Sequence, residues 1–232
     1  MRILINHLTR MKPGYICVAG IDPETGARIR PVLNCRLGNE LLRKNGGVFE
    51  IGAFVDLGPV KDVGEVPESE DHEFSVENLK YVRRAKPEEF WKFLNQTSED
   101  TLEGIFGDDL EPRGKGCTVD VECGIASLGG LETDKITSVE INPWGKIRVR
   151  LSDEELNVDL SVTDIRLYKK DQETPRPRIV ESVAERMSET KVILSVGLAR
   201  PWTKPGDTAP RHWLQANNFH LQDDPLGESF EF

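Results

Sequence analysis

The stretch Gly14-Tyr15-Ile16-Cys17-Val18-Ala19-Gly20-Ile21-Asp22-Pro23-Glu24-Thr25-Gly26-Ala27-Arg28-Ile29-Arg30-Pro31-Val32 decides the fold. In residues 14–21 both faces are apolar, with Tyr15, Cys17, Ala19 and Ile21 on one and Ile16 and Val18 on the other. A strand of this kind lies between two packed layers, as in a barrel covered from outside. The five residues that follow form a turn with a mechanism. Pro23 presets φ, Asp22 can bond the following backbone, and Gly26 supplies a site for positive φ. The returning run alternates, with Ala27, Ile29 and Pro31 on one face and Arg28 and Arg30 on the other. Pro31 cannot donate to a ladder, so this strand ends there or lies at an edge. The reading is a β-hairpin in a β-rich protein.

Outward from the hairpin, residues 2–8 form a preceding strand, residues 38–44 a short helix, and residues 48–60 an extended stretch. Residues 63–73 are acidic and lack periodicity, which predicts a loop. A helical pair then interrupts the strands. Pro87 suits a first turn, Glu88 and Glu89 its positive end, and Phe90, Trp91 and Leu94 make an apolar stripe. Ser98 is placed to cap a second helix that stops at Gly107. Strands are predicted at 118–127, 136–142, 146–151, 156–162 and 164–168, then a helix after Pro175 and Pro177, then strands at 191–200 and 212–221. Asn142-Pro143-Trp144-Gly145 is a second turn signal.

The 232 residues are 38% hydrophobic and 30% charged, which is enough to bury a real core. No apolar run approaches the ~18–20 residues of a membrane helix, and no signal-peptide core is present, so the expectation is a cytoplasmic protein without membrane association. The net charge of −10 is unevenly spread. Residues 61–123 hold seventeen acidic against eight basic side chains, whereas residues 1–44 hold eight basic against three acidic. Cys17, Cys35, Cys117 and Cys123 match no zinc spacing. Asp108, Asp109 and Glu111 read as a solvated loop rather than a Mg²⁺ site. There is no phosphate loop, no G-x-S-x-G elbow and no H-E-x-x-H. The expectation is a non-catalytic protein with no metal and no cofactor.

Three patches carry a resemblance. They are the opening strand at 3–10, the run Val18-Ala19-Gly20-Ile21-Asp22 with Gly26 and Ile29-Arg30-Pro31-Val32, and the late Leu194-Ser195-Val196-Gly197-Leu198-Ala199-Arg200-Pro201 followed by His212-Trp213. Together they resemble the prokaryotic dual OB-containing domain family. The family's aromatic before Ile-Arg-Pro is Arg28 here. The resemblance implies a mainly β (β-rich α+β) fold of two OB-like Greek-key β-barrels with a small helical insert near 86–107. The first barrel would occupy residues 1–127 and the second 128–232, with strand exchange between the chain ends. The family is thought to bind nucleic acid on structural analogy, and OB barrels bind strands across one sheet face and its loops.

Three clusters are candidate nucleic-acid-binding sites. Arg28 and Arg30 lie about 6.6 Å apart on one strand face, and with Arg10 and Lys12 they could line a groove that follows a phosphate backbone. Their bland reading is an exposed face paired with acidic residues. Trp144 with Lys146, Arg148 and Arg150 sets a tip aromatic beside a basic stripe, suited to stacking and phosphate contact; Asp159 on the next strand could instead pair with an arginine. Arg200 and Trp202 belong to a third aromatic and basic cluster around a proline-bearing loop, with Trp202 facing ligand and Trp213 packing inward. The leading expectation is a module for single-stranded DNA or RNA. The alternative is a protein-interaction adaptor or regulator in a multi-component prokaryotic system, suggested by the acidic middle segment.

Overall fold

The computed structural model describes residues 1–152 and 157–230. The hairpin is present. Strand β2 (Tyr15–Ile21) pairs antiparallel with β3 (Arg28–Val32), Gly20 opposite Ile29 and Ile21 opposite Arg28. The turn closes with the Gly26 N–H donating to Asp22 O at 2.8 Å, and Gly26 takes φ +77°. Strand β1 (Arg2–Arg10) flanks β2 on its other side, so β2 is interior. At Gly20 a Cβ would lie 2.7 Å from Leu4 O, so only glycine lets β1 come this close.

Pro31 is not at an edge. The sheet continues past β3 through β7 (Asp71–Glu73), which runs parallel to it, to β6 (Lys61–Asp62). The proline is tolerated because Arg30 N–H already donates to Glu70 O on the β7 side, at 2.7 Å. The nitrogen of Pro31 therefore faces the opposite side, where the ladder with β2 has ended. Two further strands, β5 (Ala53–Asp56) and β8 (Lys80–Arg84), complete the far side beside β1, and the short β4 (Leu37–Gly38) pairs with β2. The helix expected at 38–44 is two 3₁₀ turns, Asn39–Leu41 and Arg43–Asn45, separated by extended Leu42 and stopped at Gly46, φ +94°.

Helix α1 (Pro87–Gln96) buries Phe90 and Leu94. Helix α2 (Leu102–Phe106) is capped by Thr101, whose hydroxyl accepts the Gly104 N–H at 3.0 Å. Ser98 does not cap it, because its hydroxyl donates back to Leu94 O at 2.7 Å. Gly107, φ +80°, ends α2 as expected.

The second sheet holds β9 (Glu111–Arg113), β10 (Gly116–Asp120), β11 (Leu128–Glu132), β12 (Ile136–Ile141), β13 (Ile147–Ser152), β14 (Asn157–Val162), β15 (Val192–Leu198) and β16 (Arg211–Leu221). Its path is β11-β15-β16-β14-β13-β12, with β10 joining β16 to β9. The single strand expected at 118–127 ends at Asp120. Strand β11 was not foreseen; its Gly129 and Gly130 carry no strand preference of their own. Both are needed for close packing: a Cβ on Gly129 would meet Ile105 at 2.1 Å, and one on Gly130 would meet the Ser98 hydroxyl at 2.6 Å. Residues 164–168 are not a strand either; Asp164 caps the 3₁₀ turn Ile165–Leu167 through the Arg166 N–H. Residue 156, the expected start of β14, lies outside the described residues. Helix α3 (Pro177–Arg186) covers this sheet through Val180 and Val183.

Both sheets curl around their own apolar cores. Ile165, Ile193 and Leu226 enter the core of the first sheet, while Leu102, Ile105, Cys117 and Val119 join that of the second. Between them β1 lies against β15 and β16 through buried polar groups, among them Asn6 and His7 on β1, Ser195 on β15 and His220 on β16. Among the described residues no helix is long and apolar enough to cross a membrane.

Candidate nucleic-acid interface

The residues singled out in the sequence separate into two regions. Arg30 is only 5% exposed, so it cannot form the wall of an open groove. Its guanidinium is ion-paired to Asp71, and Arg200 from the far end of the chain pairs with the same carboxylate. Arg200 also reaches Glu68 at 3.1 Å. Arg28 is half-buried and donates to Thr97 O. Beside them Glu70 accepts from Ser127 N–H at 2.8 Å, Ser127 Oγ at 2.8 Å and Leu128 N–H at 3.0 Å. Arg30 and Arg200, two of the expected groove cations, are thus the positive half of a charge network that ties the two sheets together. The physical reason is burial: charges taken from water must be paired. The network also accounts for part of the acidic middle segment, because Glu68, Glu70 and Asp71 are buried.

Trp144 sits at the tip of the β12–β13 hairpin and is 81% exposed. Its position is set by the turn rather than by packing. Asn142 Oδ1 accepts the N–H groups of Trp144 at 3.0 Å and Lys146 at 2.9 Å, and Gly145 takes φ +71°. An Asx-braced turn of this kind holds the ring in solvent without a hydrophobic seat. Lys146 is exposed beside it. Arg148 is bound to Asp159 and Ser161, and Arg150 to Glu140 at 2.7 Å, so these two are cross-strand partners.

Arg10 comes near the turn end of this hairpin, which its sequence separation concealed. Tyr168 makes the link. Its hydroxyl donates to Val162 O at 2.8 Å, at the end of β14 beside the start of β13, while the Arg10 guanidinium lies 4.2 Å from its ring centroid. Burial is the main cause raising the Tyr168 phenol above its ordinary value, with Arg10 opposing it. Arg10 Nη1 also donates to Gln172 O at 2.8 Å. Lys12 is exposed in the β1–β2 turn.

Trp202 is 45% exposed and tilted against half-buried Trp213, with ring centroids 6.2 Å apart. Lys204 lies 4.7 Å over the Trp213 ring. Trp213 is therefore a lateral wall of this loop and not a core residue. The loop belongs to the Arg200 end of the molecule, away from Trp144.

Sequence reading missed the basic residues on the segment after the Asp164 turn. Lys169 and Lys170 are exposed on a tight loop next to Arg176 and Arg178. The Lys-Lys pair and the Pro-Arg-Pro-Arg run were visible signals, but only the fold places Lys44 of the first sheet beside them. Among the described residues no group of three or more His, Cys, Asp or Glu side chains is arranged to hold a metal ion.

No curated protein matches the sequence. Among solved structures the chain is similar to the Ifi202 HINa domain in complex with a 20-bp double-stranded DNA, at 11% identity and a TM-score of 0.35, covering 95% of this chain and 93% of that one. A likeness this slight does not bear on function. The family model described as the dual OB-containing domain matches residues 1–218, two curled sheets and helical insert included, and the chain belongs to that family.

Proposed function

We propose that the protein is a non-catalytic module that binds single-stranded nucleic acid along the surface formed by Arg10, Lys12, Trp144 and Lys146. The observation that carries the reading is Trp144. It is a large aromatic ring, 81% exposed, fixed by a braced turn and flanked by cations. Exposing an indole forfeits apolar burial, and a stacked base restores it whatever the base identity, while cations meet the phosphates. Trp202 and Lys204 offer a second aromatic and basic edge on the same sheet. Arg28, Arg30 and Arg200 serve this reading indirectly, by holding the two sheets in register.

The test is fluorescence polarization of labelled single-stranded DNA and RNA across a salt series. Engagement of three to five phosphates predicts a log–log salt slope of about −2 to −3.5. Absence of binding at micromolar protein and low salt would end this reading. A protein-interaction adaptor is the second reading, favoured by the exposed Ile125 and Trp144; a stoichiometric protein partner co-purifying without nucleic acid would support it.

A further inference from the structure

The two most exposed large apolar side chains among the described residues are Trp144, at 81%, and Ile125, at 64%. They stand at opposite ends of the second sheet. The Ile125 loop precedes β11 at the end where β16 begins: Ser127 O accepts the Leu198 N–H at 2.8 Å, and Val119 lies opposite His212. The Trp144 turn projects the other way. Strand β13 starts at Ile147 beside the close of β14, where Val162 pairs with Ala216, and the turn extends past that point in the direction in which β16 runs.

The Ile125 loop is braced as the Trp144 turn is. Asp109 Oδ2 accepts the Gly124 N–H at 2.8 Å, and the Ile125 N–H donates to Phe106 O at 3.4 Å. Gly124 takes φ +89°, and Glu122 takes φ +64°, which is uncommon for a residue other than glycine. A Cβ on Gly107 would meet the Ile125 side chain at 3.4 Å, and one on Gly124 would meet Pro67 at 3.4 Å. Ile125 therefore lies over the end of α2, and its loop rests against the turn that carries Val66. Val66 is 51% exposed and Val121 40%, so aliphatic side chains on both sides of this contact face solvent. The rim is acidic. Glu65, Asp108, Asp109 and Glu122 are exposed beside these residues in the chain, while Arg200 is bonded to Glu68 and Asp71, and Arg211 to Asp120.

An exposed apolar patch with a polar rim marks an association surface, and the sign of the rim selects the partner. Carboxylates repel phosphates and attract a cationic element that carries an apolar anchor. The chain displays such an element itself. Trp144 tips a projecting hairpin with Lys146 exposed beside it, and the nearby carboxylates Glu140 and Asp159 are taken up by Arg150 and Arg148. Tryptophan is a favoured interface anchor. Tip and patch do not meet within one chain. Between copies their contact is heterologous, each copy offering its tip to one neighbour and its patch to another. We propose that the protein associates head to tail, the Trp144 tip of one copy seated on the Ile125 patch of a second.

Sedimentation equilibrium of the full chain tests this. Two anchors without a broad interface make a weak contact, so the weight-average mass should rise between about 10 and 300 µM protein. At about 0.1 M salt the Debye length is ~10 Å, which screens repulsion between whole chains of net charge −10 but not attraction across the contact. Trp144→Ala and Ile125→Ser should each stay monomeric over that range. An equimolar mixture of the two variants should form pairs and nothing longer, since one intact patch then meets one intact tip. Both side chains are exposed, and a thermal melt checks that each variant is folded. A wild type that stays monomeric, a single variant that associates as wild type does, or a mixture that stays monomeric overturns the proposal. The measurement contains no nucleic acid, so failure of strand binding leaves its result standing.

Discussion

Asn218 binds the backbone of Leu8 twice: its Oδ1 accepts the Leu8 N–H at 2.8 Å and its Nδ2 donates to Leu8 O at 3.1 Å. A side-chain amide here plays the part of a strand partner, and it joins residues 210 positions apart. The site is fully buried, so water cannot replace the lost bonds in a variant. Asn218→Ala should destabilise the protein by roughly 2–5 kcal/mol, because two backbone groups are orphaned. Chemical denaturation followed by tryptophan fluorescence measures it.

Asp71 is the shared acceptor of Arg30 and Arg200. Asp71→Ala leaves the Arg30 charge buried and unpaired, with an expected loss of about 3–5 kcal/mol. Arg200→Ala should cost less, since the Arg200 side chain is half-exposed and Asp71 keeps Arg30 as its partner. Equal losses in the two variants would argue against the burial account.

His220 is completely buried, with Ser195 Oγ at 3.0 Å and Asn6 O at 3.1 Å from its Nε2. Desolvation, then the Arg166 charge, lower its imidazolium pKa to about 4. A histidine depressed in this way is neutral in the fold and takes up its proton first in the unfolded chain. Its contribution is therefore complete above pH ~6.5 and is lost as pH falls from there to about 4. The loss is on the order of 3 kcal/mol. Melting temperature should fall through that window in wild type, and less steeply in His220→Gln, which cannot titrate.

Trp144→Ala should weaken single-strand binding by roughly 5- to 100-fold, the range of one lost base stack. The melting temperature should stay within a degree or two, because an indole 81% exposed contributes little to the core. A large drop in stability would mean the ring is structural.

Thiol reactivity offers a check on the second core. Cys35 is exposed and Cys117 is buried, its thiol pushed up to about 11 by desolvation. In the native protein a water-soluble maleimide should label Cys35 rapidly, while Cys117 should react only after unfolding.

What the sequence by itself determined is local. Alternation of side chains and the chemistry of Asp22, Pro23 and Gly26 specified the first hairpin, and Asn142 and Gly145 specified the second. Pro87 and Gly107 marked helix ends correctly, since those preferences come from each residue's own backbone. What only the tertiary structure decided is partnership. Strand β11 exists because Ile105 and Ser98 pack onto glycines that have no strand preference of their own. Pro31 is interior because Asp71–Glu73, a short acidic segment, folds parallel beside it. Arg28 and Arg30 looked like a free basic face because adjacent residues show only which way a side chain points. Whether that direction meets water or Asp71, about forty residues later, is fixed by long-range closure. The same closure brings Lys44 to Lys170 and Arg10 to the Trp144 hairpin. Charge is additive along a chain, but its meaning depends on which charges the fold leaves in solvent and which it buries as pairs.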